Sequence, residues 1–427
     1  MSLHIIYGNA GCGKSTYLYE YANKEARRDP RRSFLFFVPN QFTLTAQRKL
    51  VEHSENHGIM NIEVLSFERF SYRVFEELGI DTGEILEDTG KNLLLQYVIL
   101  QKQEELFVLN NSVNRPGYID EIKSLFSEFA QYRMDPDKLK EAFQKVSLNP
   151  AFQKKGQDIL NLYEAYSKAL SERYITGEQM LDLLADHVDE SRFVKDGVLF
   201  LDGYTGFTPV QMHLLYAMAP YLKDIYCAVT MDQGEDPGAV TEGHEHELFA
   251  MSHEMISSLT RMAKDLHLEV EFVPVMDGRK SDVCTGPFIK SPVTSAGSRF
   301  MAGGYLSALE QRIFREKKIK TKVEHPEADV LHLREYENYR QEIEGVCGEI
   351  RKLVEEKHWH YRDIAVITSE LEAVETACSE IFSDYGIPFF IDRNRELSYN
   401  PLLEMIQSAF SVLQFDFQYD DVVNFMR

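Results

Sequence analysis

Cysteine is scarce: there are five in 427 residues (Cys12, Cys227, Cys284, Cys347 and Cys378), an odd number with no CxxC pair. This scatter excludes a disulfide framework, offers no zinc or cluster site within the chain, and fits reduced thiols. No apolar run approaches the ~20 residues that a membrane-spanning helix needs, and no charged–apolar–small leader precedes the first motif. These absences predict a cytoplasmic protein with no membrane partner. Positive charge is also in deficit, with 46 Lys and Arg against 68 Asp and Glu and a net charge of −22. A uniformly basic nucleic-acid binder is thereby excluded, but not one whose basic residues are confined to a channel. Internal repeats and low-complexity segments are missing. His244 and His246 with Glu245 and Glu247, and the triplet His358-Trp359-His360, have the spacing of no standard zinc motif and read as solvated loops.

What remains is ordinary globular composition, 44% hydrophobic and 27% charged, in a chain with room for two or three domains. Its organising stretch is at the amino end. His4-Ile5-Ile6-Tyr7 reads as a short buried strand, Gly8-Asn9-Ala10-Gly11-Cys12-Gly13-Lys14-Ser15 follows, and a helical pattern starts at Thr16. This is GxxxxGK[ST] between a strand and a helix, the context a phosphate-binding loop requires. Gly8, Gly11 and Gly13 let the backbone curl until its N–H groups face a phosphate, with the helix N-terminus behind them. Lys14 would reach the β- and γ-phosphates, and the Ser15 hydroxyl would ligate Mg²⁺. A plain glycine-rich turn is the competing interpretation, and the strand–helix flanks argue against it.

Along the chain, Ser33–Pro39 and Ile62–Leu65 read as further buried strands, each followed by a helix, with Thr43 a candidate helix cap. Strands alternating with helices after a phosphate loop predict a doubly wound α/β domain. From 89 to 191 apolar residues recur at helical spacing with no convincing strand, which predicts a helical insertion between the two parts of the sheet domain, 1–88 and 192–285. The sheet resumes at Val198–Leu201 and Asp224–Thr230, and 234–304 is loop-rich with helices around Leu248–Leu266. A linker is expected over 286–325, followed by the start of a second α/β domain over 326–427 with strands at Asp329–Leu333, Ile364–Thr368 and Pro388–Ile391. The terminal residues Asp420–Arg427 read as an amphipathic helix in progress, so the chain is expected to be the front part of a longer polypeptide.

A phosphate-loop NTPase also needs an acidic residue at the end of a neighbouring strand to hold Mg²⁺. Val198-Leu199-Phe200-Leu201-Asp202 has that form, with Asp202 as the candidate; a core strand with an acidic helix cap is the alternative. Helicase-type ATPases place a Glu next, to orient the attacking water, but here Gly203 follows. The chemical step should then be slow whatever the affinity for ATP.

The order of these motifs resembles superfamily 1 helicases of the UvrD/RecB type, with their RecA-like fold, and more closely the N-terminal part of the AddB family, the B subunits of bacterial AddAB helicase–nucleases. The resemblance is carried by Gly8–Ser15, by Phe37–Thr43 (similar to motif Ia), by Leu65–Phe70 (similar to motif Ib), and by Phe200–Pro209, where Asp-Gly and Gly-Phe-Thr-Pro replace the usual Asp-Glu. Asp363–Thr368 with Tyr385–Phe389 resembles the opening of a second motor domain. The family implies ATP and Mg²⁺ at Gly8, Gly11, Gly13, Lys14, Ser15, Thr16 and Asp202. It implies single-stranded DNA at Gln41, Thr43, Ser66, Phe67 and Arg69, with Phe67 or Phe70 as a base-stacking candidate beside the plainer role of core aromatic. Other implications are an AddA-type partner in a heterodimer, DNA ends as substrate, recognition of the Chi sequence in recombinational repair, and a nuclease with an iron–sulfur cluster beyond this chain. Two departures imply a weakened motor: Gly203 replaces the catalytic Glu, and Thr368-Ser369-Glu370 stands where active relatives place an Arg on the γ-phosphate. A scaffold protein with a vestigial phosphate loop is the alternative. A small-molecule kinase fits less well, having no use for Tyr204–Pro209 or the long insertion.

Overall fold

In the computed structural model the described residues are 1–81, 83–109, 117–145, 150–171, 174–232, 234–239, 246–276, 288–294, 299–300, 304–315, 330–392 and 400–426. The chain divides into two compact units, Met1–Val330 and Leu331–Arg427.

The first unit is built on a seven-stranded sheet. Its strands are β1 (Ser2–Gly8), β2 (Phe34–Phe37), β3 (Ile62–Leu65), β6 (Val198–Leu201), β7 (Asp224–Thr230), β8 (Glu269–Met276) and β9 (Val293–Thr294). They lie in the order β3-β2-β6-β7-β1-β8-β9 with every pairing parallel. This is a RecA-like α/β arrangement, and the near-continuous apolar strands have the reason parallel sheets demand: both faces are covered. Alternation along each strand divides the side chains. Ile6, Phe34, Phe36, Val198, Phe200 and Tyr226 pack under helices α1 (Lys14–Arg28) and α2 (Thr43–Glu52). Leu3, Ile5, Leu35, Leu199, Ile225 and Val229 pack on the other face with α3 (Phe67–Leu78). Phe36, Phe200, Tyr226 and His4 occupy matched positions on four neighbouring strands, their rings stacked at 5.5, 5.2 and 4.3 Å.

Between β3 and β6 run α4 (Asp88–Lys102), α5 (Tyr118–Gln131), α6 (Pro136–Lys145) and α7 (Pro150–Ser171), which share a separate core of Leu95, Ile99, Phe126, Leu160 and Tyr166 among others. Within that core, the fully buried Asp158 accepts from the amides of Phe107, Val108 and Leu109, satisfying a carboxylate and a turn together. Two details of this helical segment differ from the sequence expectation. A two-residue parallel pair, β4 (Glu84–Ile85) with β5 (Tyr174–Ile175), ties the ends of the helical segment together. Helix α8 (Gly177–His187) packs through Met180, Leu181 and Leu184 into the sheet's core, because its apolar spacing cannot say which core it serves. On that same face lie α9 (Pro209–Met218) and α10 (Ala250–Asp265). Strand β8 falls in the stretch expected to be loop-rich. Its glutamates and Pro274 break the apolar pattern, yet Ser2–Tyr7 pair along it. The short α11 (Tyr305–Glu310) is the last helix among the described residues of this unit.

The described part of the second unit is helical: α12 (Tyr339–Lys357), α13 (Leu371–Asp384), α14 (Pro401–Gln414) and α15 (Tyr419–Met426). Cys347, Ile350, Val374, Ile381 and Phe382 join α12 to α13. The three strands expected here are absent from the described residues: 330–333, 364–368 and 388–391 form no ladder. Ile364 has extended dihedrals (φ −112°, ψ 131°), so the local preference is met while the hydrogen-bonding neighbour is not.

Candidate functional site

The site is the carboxyl edge of the sheet in the first unit. β1 ends at Gly8, the chain turns over Asn9–Gly13, and α1 begins at Lys14. Gly11 (φ +73°) and Gly13 (φ +94°) hold the left-handed backbone that the turn needs and that other residues resist. Lys14 is buried, and its Nζ donates to the carbonyls of Gly8 and Asn9, both at 2.9 Å. Burial pulls its ammonium below the usual lysine value; the Cys12 thiol and the Asp202 and Glu310 carboxyls work against that, and the Arg299 charge adds to it. Thr16 is half-buried in the first turn of α1.

Asp202 follows β6, with its amide donating to Phe37 O at 3.0 Å. β6 is not the neighbour of β1, because β7 runs between them, so the carboxylate reaches the loop from one strand further away than the motif pattern implies. It arrives nonetheless: the Ser15 hydroxyl donates to Asp202 Oδ1 at 2.9 Å, and the Tyr19 hydroxyl to Oδ2 at 3.4 Å. Burial pushes the Asp202 carboxyl above its ordinary value, opposed by the Ser15 bond, the Lys14 charge, the Tyr19 hydroxyl and the Gly203 amide. A buried carboxylate beside a hydroxyl, short of positive charge, suits a hard divalent cation with oxygen ligands. The donor set therefore fits Mg²⁺, and the glycine cradle with Lys14 fits a polyphosphate. Tyr19 is a site residue that the motifs miss, because in sequence it is one more apolar position of α1.

Gly203 sits at φ +79°, where a Cβ would make ordinary contact with Pro39 Cδ at 3.5 Å but the backbone itself disfavours one. The missing base is thus a matter of backbone as well as side chain, since a Glu here would have to adopt a strained conformation. The stretch after it is structural. Thr208 caps α9 in a capping box with Gln211, Pro209 takes the first turn, and Tyr204 and Phe207 pack on Phe67.

The motif Ia and Ib residues meet at the same edge, where Asn40 Nδ2 donates to Glu68 Oε2 at 3.2 Å. Of the five residues assigned to DNA, Gln41 and Arg69 are exposed. The other three side chains are inward. Thr43 is buried inside α2, donating to Asn40 O while Phe42 takes the cap position; Ser66 caps α3 by accepting from the Arg69 amide; Phe67 packs on Phe37. Phe70 is fully buried against Phe37, so neither aromatic is open to a base. The exposed ring at this edge is Phe42, 47% accessible and beside Gly203. Its one sequence signal is its position between Gln41 and Thr43.

At the end of β7, the Met231 amide donates to Gly8 O at 3.1 Å, and Asp232 takes a two-pronged pair from Arg315 at 2.8 and 2.9 Å. Arg315 also lies over the Phe249 ring and 3.6 Å from Glu310. Among the described residues no group of three or more His, Cys, Asp or Glu is placed to hold a metal. His244, Glu245 and Cys284 lie outside the described residues, and the other four cysteines are free thiols. No described helix is long and apolar enough to cross a membrane.

Comparison with known proteins gives the family. Residues 5–285 match the family model described as ADDB, N-terminal. A relative from Lachnoclostridium phytofermentans, which bears the name of the B subunit of an ATP-dependent helicase/deoxyribonuclease, is 33% identical over the whole chain. Relatives of the same name from Desulforamulus reducens and Clostridium tetani are 30% and 28% identical, also over the whole chain. The chain spans 35–36% of the length of these relatives. With the matched model covering the phosphate loop, the helical segment and the Asp202 strand together, this chain belongs to the AddB family, in its N-terminal part.

Proposed function

We propose that this chain is the helicase-like front part of a subunit that processes DNA double-strand breaks. It binds ATP with Mg²⁺ in the first unit and single-stranded DNA across the sheet's carboxyl edge, and it turns ATP over slowly or not at all. The observation that carries this reading is the 2.9 Å bond between Ser15 and Asp202, which joins the phosphate loop to a carboxylate from a distant strand. Gly11, Gly13 and Lys14 would hold the phosphates, Lys14 giving up its two carbonyl partners to do so, while Ser15 and Asp202 would hold the metal. The bound cation would supply charge neutralisation at the terminal phosphates. With no carboxylate at position 203 to orient water, binding outlives hydrolysis. The relatives' names imply a partner in a complex. Family resemblance makes that partner an AddA-type helicase–nuclease in a heterodimer, acting on DNA ends and recognising Chi in recombinational repair; an iron–sulfur cluster belongs to the family's C-terminal nuclease.

Titration with a fluorescent ATP analogue and Mg²⁺ tests the nucleotide reading: saturable binding is expected, weakened at least tenfold by Lys14→Ala. No binding, or equal binding by the variant, leaves the scaffold alternative. For DNA, anisotropy of a labelled oligonucleotide should fall as salt rises, and Phe42→Ala should remove about 1–3 kcal/mol if its ring stacks a base. Indifference to both changes would remove the sheet edge as the DNA site.

A further inference from the structure

The phosphate loop carries a second layer of chain that none of the sequence motifs includes. Arg299 and Phe300 lie directly on its turn. The Arg299 amide donates to the Gly11 carbonyl at 3.0 Å. A Cβ built on Gly11 would stand 2.8 Å from Arg299 Cβ and 3.1 Å from the Phe300 ring. Gly11 is therefore required twice, once by its φ of +73° and once by this close approach. The main chain of residue 299 is fixed on the loop while its side chain is exposed. Among the described residues no carboxylate pairs with that guanidinium. Glu310 is committed to Arg315, itself paired with Asp232, and Asp202 to Ser15.

An arginine held by its own backbone against a phosphate loop, with no carboxylate on its planar donors among the described residues, is preorganised for a phosphate oxyanion. We propose that Arg299 is a further phosphate-binding residue of the nucleotide site, set down on the loop by its main-chain bond to Gly11. The proposal rests on the nucleotide reading above and deepens it: the site holds the polyphosphate with two cations, Lys14 from inside the loop and Arg299 from outside. It also makes Gly11 a docking point as well as a turn, which the motif pattern alone does not reveal.

Isothermal titration of the 427-residue chain with MgATP and, separately, with magnesium tripolyphosphate tests it. The proteins compared are the unaltered chain, Arg299→Gln, Arg299→Lys and the surface control Arg48→Gln. Arg299→Gln is expected to weaken both ligands about tenfold, the loss of one charge-assisted contact. Arg299→Lys should recover part of that, and Arg48→Gln should change neither. Should Arg299→Gln fail to fold, the Lys variant decides alone, with weaker binding expected and equal binding overturning the proposal. Unchanged affinity of Arg299→Gln for both ligands would overturn it, as would a loss seen with MgATP and not with tripolyphosphate, which would put the side chain on the nucleoside. An unaltered chain that binds neither ligand would overturn the nucleotide reading itself, and this inference with it.

Discussion

The sheet of the first unit and the short apolar segments of the second begin from similar sequence and end differently. Phe34–Phe37 and Val198–Leu201 are short apolar runs, and so are Ile364–Ile367 and Phe389–Ile391. In the first unit every such residue is buried, with helices on both faces and a hydrogen-bonded strand on each side. In the second, Ile367 is 93% and Phe390 87% exposed, and the backbone pairs with nothing among the described residues. An apolar run specifies extended backbone and a need for burial. A ladder forms only where a neighbour of matching register is present, and that neighbour is not local in sequence.

The largest effect that sharpens this contrast is in the aromatic stack. Phe200→Ala removes a fully buried ring from the row joining β2, β6 and β7, and should cost the first unit about 3–5 kcal/mol in denaturant unfolding. A loss under about 1 kcal/mol would mean the sheet does not depend on that row. Next is Glu77, near the end of α3, whose carboxylate accepts from Ser191 Oγ and from the Arg192 amide and Nε. Burial pushes its carboxyl up, but those donors outweigh burial and leave it below the ordinary glutamate value. Its contribution is therefore present above the unfolded pKa of about 4.3 and disappears as pH falls through the lower folded value. Glu77→Gln should cost about 1 kcal/mol at neutral pH, and a stability–pH series should show the two proteins converging in acid. A constant difference across that range would assign the cost to packing. The smallest effect is the counterpart in the second unit: Phe390→Ala should change stability by less than about 0.5 kcal/mol, because it removes a ring that is almost wholly exposed. A cost as large as that of Phe200→Ala would erase the contrast.

Local chemistry was the most legible. Gly11 and Gly13 take positive φ as a tight phosphate turn requires, and Lys14 opens a helix. The unbroken apolar run of Phe34 to Phe37 is likewise a local signal of burial on two faces. Less legible was which of several similar side chains the core would claim. Phe42, Phe67 and Phe70 stand in two motifs of the same character, but α3 turns Phe67 and Phe70 into the sheet while Phe42 ends a single helical turn facing out. β8 was hidden for a related reason: a strand near the sheet's edge tolerates Glu and Pro274, and so lacks the apolar signature of the strands inside.

The sequence by itself determined the glycine turn, the helix that follows it and the apolar strands, because each depends on the conformational limits of a few consecutive residues. Only the tertiary structure decided that Asp202 would meet Ser15 across an intervening strand, that Tyr19 would join them, and that Arg299 would rest on Gly11. Those contacts join residues far apart in the chain, and they exist only once the layers have packed and excluded water between them.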